Sequence, residues 1–184
     1  MKWSVQLIYI CLIMMGTIMD TEAQKVLFDF SDNKDIADWQ IINDGVMGGL
    51  SESKMLINKD ENAVFSGSVS LENNGGFASV RYRFSLIVMN DYRCIVLRIK
   101  GDGKGYQLRV KENSYDRHAY ISYFQSSGEW QVIEIPLEDM YPTFRGRRLD
   151  MPNYPGVRME ELAFLIANYR QESFRLEIDY IHLK

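Results

Sequence analysis

Cysteine and histidine are nearly absent from this chain. Only Cys11, Cys94, His118 and His182 occur among its 184 residues, which excludes a disulfide-stapled scaffold and leaves too few ligands at workable spacing for a zinc site. Glycine (13) and proline (4) are too scarce for a collagen-like or low-complexity chain. No apolar run reaches the ~20 residues that cross a bilayer. A basic surplus is lacking as well: 21 Lys and Arg stand against 25 Asp and Glu, a net charge of −4, so no nucleic-acid partner is expected. There is no G-x-S-x-G elbow for a serine hydrolase. The glycines of Gly101-Asp102-Gly103-Lys104-Gly105 lead into strand-like sequence, where a phosphate loop would open a helix. After Val26, no amphipathic helix pattern persists beyond about two turns.

What is present begins with a leader. Lys2 precedes an apolar run from Val5 to Ile18, and Thr21-Glu22-Ala23 offers a cleavage point before Gln24, so residues 1–23 read as a secretory signal peptide. Asp20 and Glu22 argue against a mitochondrial presequence, which is usually poor in acids. A bacterial protein that is periplasmic or secreted is therefore expected. Removing 23 of the 184 residues leaves 161, with 20 basic and 23 acidic side chains and Cys94 as the sole thiol. That length suffices for one domain over residues 24–184 with a core that needs no staple. The expected product is a monomer with no membrane span after cleavage.

Period-two alternation recurs along the mature sequence, with turn signals between runs. It predicts strands at Val26–Phe30, Trp39–Asn43, Ser51–Ile57, Ala63–Val69, Phe77–Phe84, Cys94–Lys100, Tyr106–Lys111, Ala119–Phe124, Trp130–Ile135, Leu162–Ala167 and Phe174–His182. Many short strands of this kind suit an all-β, two-sheet sandwich. The polar segments 58–62 and 101–105 predict antiparallel hairpin connections. Residues 136–157 hold all four prolines and read as a long irregular loop. Asp29, Asp32 and Asp35, with Asn33, make either a solvated turn or a calcium site. The many acids leave room for a glycosidase carboxylate pair, although sequence does not fix the separation such a pair needs.

Several strings are unusual. Asn43-Asp44-Gly45-Val46-Met47-Gly48-Gly49-Leu50-Ser51 is followed by Phe65-Ser66-Gly67 and by Asn74-Gly75-Gly76-Phe77-Ala78-Ser79-Val80-Arg81. Then come Lys100-Gly101-Asp102-Gly103-Lys104 with Tyr106, Trp130-Gln131, Ile135-Pro136 and Phe144-Arg145-Gly146-Arg147. In that order they resemble the complex I intermediate-associated protein 30 family over nearly the whole mature chain. The resemblance implies a galactose-binding-domain-like jelly roll and an assembly-factor role, chaperone-like, without catalysis or cofactor. Two departures stand out. A secretory leader occupies the place of a mitochondrial transit sequence, and the segment around Gln171 and Phe174 lacks the family's usual lysine and glycine.

The functional expectation is an exported noncatalytic module that binds a protein of the cell envelope, with a carbohydrate-binding module as the alternative. The candidate binding residues are Asp44, Met47, Asn74, Arg81, Asp102, Tyr106, Arg145 and Arg147, drawn from four motifs expected to converge. Arg81 would pair with a carboxylate such as Asp44, and the arginines of Phe144-Arg145-Gly146-Arg147-Arg148 would grip anions or sugar hydroxyls. Trp39 and Trp130 read as core before they read as sugar platforms, and Tyr106, Tyr120 and Tyr123 carry the same two readings.

Overall fold

The computed structural model describes residues 24–33 and 35–184; the leader read at residues 1–23 lies outside them. Thirteen strands run β1 (Lys25–Asp29), β2 (Trp39–Ile41), β3 (Glu52–Ile57), β4 (Ala63–Val69), β5 (Ala78–Val88), β6 (Cys94–Lys100), β7 (Gly105–Lys111), β8 (Ala119–Gln125), β9 (Gln131–Pro136), β10 (Tyr141–Phe144), β11 (Arg147–Arg148), β12 (Arg158–Ile166) and β13 (Glu172–Leu183). The described residues hold no α-helix, only single 3₁₀ turns at Asp44–Met47, Glu72–Asn74 and Leu137–Asp139.

Two antiparallel sheets form a jelly-roll sandwich. One runs β3-β4-β13-β6-β9, with β1 also on β13; the other runs β11-β10-β8-β7-β12-β5-β2. Because side chains alternate along a strand, each strand sends every second residue into the space between the sheets. Leu108 and Val110 of β7, Phe164 and Ile166 of β12, and Leu97 and Ile99 of β6 are all buried there. Trp39 belongs to this core, stacked on Tyr82 at 4.9 Å and edge-on to Phe28 at 5.5 Å. Trp130 instead lies beneath the Arg98 guanidinium, 4.7 Å from it.

Two irregularities set which face each residue takes. In β13 the inward set changes from Phe174, Leu176 and Ile178 to Ile181 and Leu183, where the pairing with β6 shifts register between Ile178 and Tyr180. A bulge of this kind inserts one residue and reverses the parity of everything after it. In β12 the pairing with β5 shifts between Met159 and Glu161, so Met159 and Leu162 both point inward while Glu161 faces out.

The structure corrects two sequence expectations. Residues 101–105 do not close a hairpin: β6 pairs with β13 and β9, whereas β7 pairs with β8 and β12, so this segment carries the chain from one sheet to the other. Alternation on both sides reports two half-buried strands and cannot report that they lie in different sheets. Its backbone is fastened at Ser126, whose Oγ accepts from the Lys104 amide at 3.2 Å. Residues 136–157 are not wholly irregular, because Phe144 pairs with Arg147 across the two-residue turn Arg145-Gly146, whose φ values are 49° and 74°. Left-handed φ at both positions matches the tight hairpin turn compatible with strand twist; arginine at the first position and Pro142 within β10 conceal it.

Gly67 in β4 shows how closely the strands approach. A Cβ there would lie 2.0 Å from the Glu52 carbonyl oxygen and 2.7 Å from the Ser53 Cα. Both obstacles are backbone, so Gly67→Ala is expected to separate β3 from β4 and destabilise by about 2–3 kcal/mol. A urea titration checks this, and an unchanged midpoint would contradict the register described.

Candidate binding cleft

The outer face of the seven-stranded sheet is hollow, a cleft of about 840 Å³. Its floor follows from strand register. Arg81 of β5 lies opposite Ala163 of β12, which lies opposite Arg109 of β7, then Ile121 of β8 and Tyr141 of β10. In the next row stand Ser79, Leu165, Gln107 and Tyr123; on the other side stand Arg83, Glu161 and Lys111. These are the positions that alternate with the core residues, so the strands that build the interior also build the floor.

Glu161 is the only carboxylate among the described residues that line the cleft, and it is 3% exposed. Its Oε2 accepts from Arg83 Nε at 2.9 Å, and its Oε1 lies 3.3 Å from Arg81 Nε and 3.4 Å from Lys111 Nζ. Among the described residues Arg109 donates to neutral acceptors, Gln107 Oε1 at 3.3 Å and Thr143 Oγ1 at 3.4 Å. Burial pushes the Arg109 guanidinium and the Lys111 ammonium below their ordinary pKa values, with the Glu161 charge opposing it in both. Around the rim, Arg117 and Arg145 lie over the Phe144 ring at 5.0 and 5.4 Å, and Arg148 lies over Tyr141 at 4.6 Å. Tyr123 is 56% exposed, and Gln107 Nε2 donates to its hydroxyl at 3.0 Å.

The sequence-derived candidates divide by location. Met47, Arg81 and Arg145 line the cleft. Arg81 pairs with Glu161, where the sequence reading offered Asp44. Asp44 lies under one end of the cleft and is fully buried. Its carboxylate accepts from the amide and hydroxyl of Ser51 and from the amides of Gly76 and Phe77, the last three contacts being shared by Oδ2. Burial alone would raise the Asp44 carboxyl, but those bonds outweigh it and hold it below the usual carboxylate range. Gly49 and Gly75 make room: a Cβ on either would lie 2.4 or 2.7 Å from this carboxylate. The glycine-rich strings therefore wrap an anion of the protein itself. Asn74, exposed with φ 58°, belongs to the same loop.

Asp102 and Tyr106 form a separate group. Tyr106 is buried in the core and donates to Asp102 Oδ1 at 3.0 Å, while Asp102 Oδ2 accepts from Lys104 Nζ at 2.7 Å and the Arg175 amide at 2.9 Å. Burial, followed by the Asp102 charge, raises the Tyr106 hydroxyl far above its ordinary value. Arg147 is exposed on β11 and is not among the cleft's lining residues. Sequence reading missed Gln107, Arg109, Lys111 and Glu161. Their signal was the polar half of the alternation in Gln107-Leu108-Arg109-Val110-Lys111, which reads as an ordinary wet face until β5 and β12 are known to flank it.

Among the described residues, no group of three or more His, Cys, Asp or Glu side chains could hold a metal ion. Three of the residues read as calcium ligands are engaged in local turns: Asp29 Oδ1 accepts from the Ser31 amide, Asn33 Oδ1 from the Asp35 amide, and Asp35 Oδ1 from the Ala37 amide.

Comparison with known proteins bears on both fold and family. The Family 11 Carbohydrate-Binding Module of the cellulosomal cellulase Lic26A-Cel5E of Clostridium thermocellum superposes with a TM-score of 0.66 at 18% identity, over 88% of this chain and 94% of that one. A Family 11 Carbohydrate-Binding Module from Clostridium thermocellum in complex with a β-1,3-1,4-mixed-linked tetrasaccharide gives 0.64 at 18% identity, over 87% and 94%. These likenesses show the fold. Complex I intermediate-associated protein 30, mitochondrial, of Mus musculus is 22% identical over 87% of this chain, which spans only 56% of that relative's length. The model of the family described as Complex I intermediate-associated protein 30 matches residues 28–178, from the end of β1 into β13, and the chain belongs to that family.

Proposed function

We propose that this protein is an exported, noncatalytic binding module that holds an extended ligand in the cleft of its seven-stranded sheet. The observation that carries the reading is the cleft itself, an open floor of about 840 Å³ with exposed tyrosines and an array of donors above a rigid sheet. That volume is within the range of ligand sites. Glycoside hydrolysis needs two carboxyl groups flanking the bond, and the cleft's lining carboxylate is single and held by three cations. Export rests on the leader alone.

A sugar chain is the occupant that the floor supports best. Tyr123 offers an open ring face beside the Arg148-capped ring of Tyr141, and the arginines offer N–H donors suited to hydroxyl oxygens. A protein of the cell envelope is the second reading, favoured by membership in an assembly-factor family. Tyr123→Ala combined with Tyr141→Ala separates the readings. The double variant should melt like the parent and lose binding to a glycan array by tenfold or more. A stoichiometric envelope protein held by the parent and lost by the variant would favour the second reading, and a variant that retains every ligand of the parent would exclude the cleft.

A further inference from the structure

Resting on that reading, we infer that the cleft selects an acidic sugar chain, one whose residues carry carboxylates, over a neutral one. The chain as a whole is acidic, at −4, yet the residues lining the cleft include Arg81, Arg109, Lys111, Arg117, Arg145 and Arg148 against Glu161 alone. Glu161 also serves Arg83. One carboxylate therefore faces a local excess of cations, in a hollow where burial already disfavours the charges of Arg109 and Lys111. Placing cations together in a recess costs stability unless something neutralises them. An anionic ligand does so.

Arg109 stands at the centre of this arrangement. A guanidinium has five N–H donors in a planar fork, and among the described residues Arg109 finds two long contacts, at 3.3 and 3.4 Å, both to uncharged oxygens. The geometry that fits such a fork is a planar carboxylate received side-on through two parallel bonds. Arg81 lies two strands away along the same row, and Tyr141 with Arg148 above it lies two strands away on the other side. With strands about 4.8 Å apart, these cationic stations repeat at roughly 10 Å across the sheet. A chain laid across the strands meets one at each step, with the Tyr123 ring on β8, the strand between Arg109 and Tyr141.

An acidic peptide fits less well. Extended peptides gain affinity by adding a strand to an exposed sheet edge, and β5, β7, β8 and β12 are interior strands whose backbone groups are already paired. The floor offers side chains only, which suits hydroxyls and carboxylates.

The test is affinity electrophoresis, followed by calorimetry, with a panel of polyuronates (polygalacturonate, alginate and polyglucuronate). Fully methyl-esterified polygalacturonate, mixed-linkage β-glucan, dextran sulfate and polyglutamate complete the panel. The expected result is binding to at least one polyuronate, weakened tenfold or more in Arg109→Gln and several-fold in Arg148→Gln. The second variant lies at the exposed rim, where folding is not at stake. Lys59→Gln, at the β3–β4 turn of the other sheet, should bind like the parent. Affinity for the polyuronate should fall with added salt. No binding to any polyuronate, equal binding of the methyl ester, tighter binding of dextran sulfate, or equal binding of polyglutamate would each overturn the inference. Binding of the neutral glucan in place of the polyuronates, lost on Tyr141→Ala, would overturn the acid selectivity while leaving the glycan-binding cleft intact.

Discussion

Glu161→Gln is expected to lower the unfolding free energy by about 3–5 kcal/mol, the penalty for removing one partner of a buried charge network. For a chain of this size that corresponds to a melting temperature lower by roughly 6–20 °C. The substitution keeps the shape of the side chain and deletes the one anion that Arg81, Arg83 and Lys111 share at 2.9–3.4 Å. Three cations are then left facing Arg109 across the floor. If that repulsion is the cause, Lys111→Met added to Glu161→Gln recovers part of the loss, because one stranded charge is gone. Melts of the two variants decide the point. A single variant as stable as the parent would mean that solvent, and not Glu161, neutralises the floor.

Asp44→Ala is expected to cost a comparable amount, about 3–5 kcal/mol, for a different reason. The partners of its carboxylate among the described residues are neutral. The substitution removes the acceptor of the buried Ser51 amide and of the part-buried Gly76 and Phe77 amides, and leaves the Ser51 hydroxyl only the long bond to the Ser70 carbonyl at 3.4 Å. The pH dependence carries the same signature. The Asp44 carboxyl titrates below its ordinary value in the fold, so its contribution is fully present above the unfolded value of about 3.9 and is lost as pH falls through the lowered one. Asp29, held down chiefly by the Ser31 hydroxyl, adds a slope of the same sign. Urea titrations from neutral pH down through pH ~3 should show the parent losing stability with acid and Asp44→Asn losing less. Parallel acid limbs in the two proteins would refute the assignment.

How much of this was legible in the sequence differs from element to element. The bounds of β4 and β6 are legible in the sequence, because polar turns flank both and each opens on a short apolar run, Ala63-Val64-Phe65 and Cys94-Ile95-Val96-Leu97. β10 and β11 were hidden by Pro142 and by an Arg-Gly turn in place of the usual Asn-Gly. Alternation reports that a strand has two faces; it does not report which strand lies beside it. Arg109 and Lys111 read as wet-face residues on those grounds, and only the order β8-β7-β12-β5 brings them to Glu161 and Arg81. The glycine-rich strings were legible as special positions, but their purpose was not. They make room for the Asp44 carboxylate, a contact between residues more than thirty positions apart, as in the bond from the Phe77 amide.

The most direct measurement is an amide chemical-shift titration of the isotope-labelled protein with a short oligogalacturonate and, separately, with a mixed-linkage β-glucan oligosaccharide. Binding in the cleft predicts that the residues perturbed by a bound sugar cluster on the outward positions of β5, β7, β8, β10 and β12, around Arg81, Gln107, Arg109, Tyr123 and Tyr141. The outer face of β3, β4, β6 and β9 should stay silent. Perturbations centred on that opposite sheet, or a spectrum unchanged by either sugar, would contradict the account.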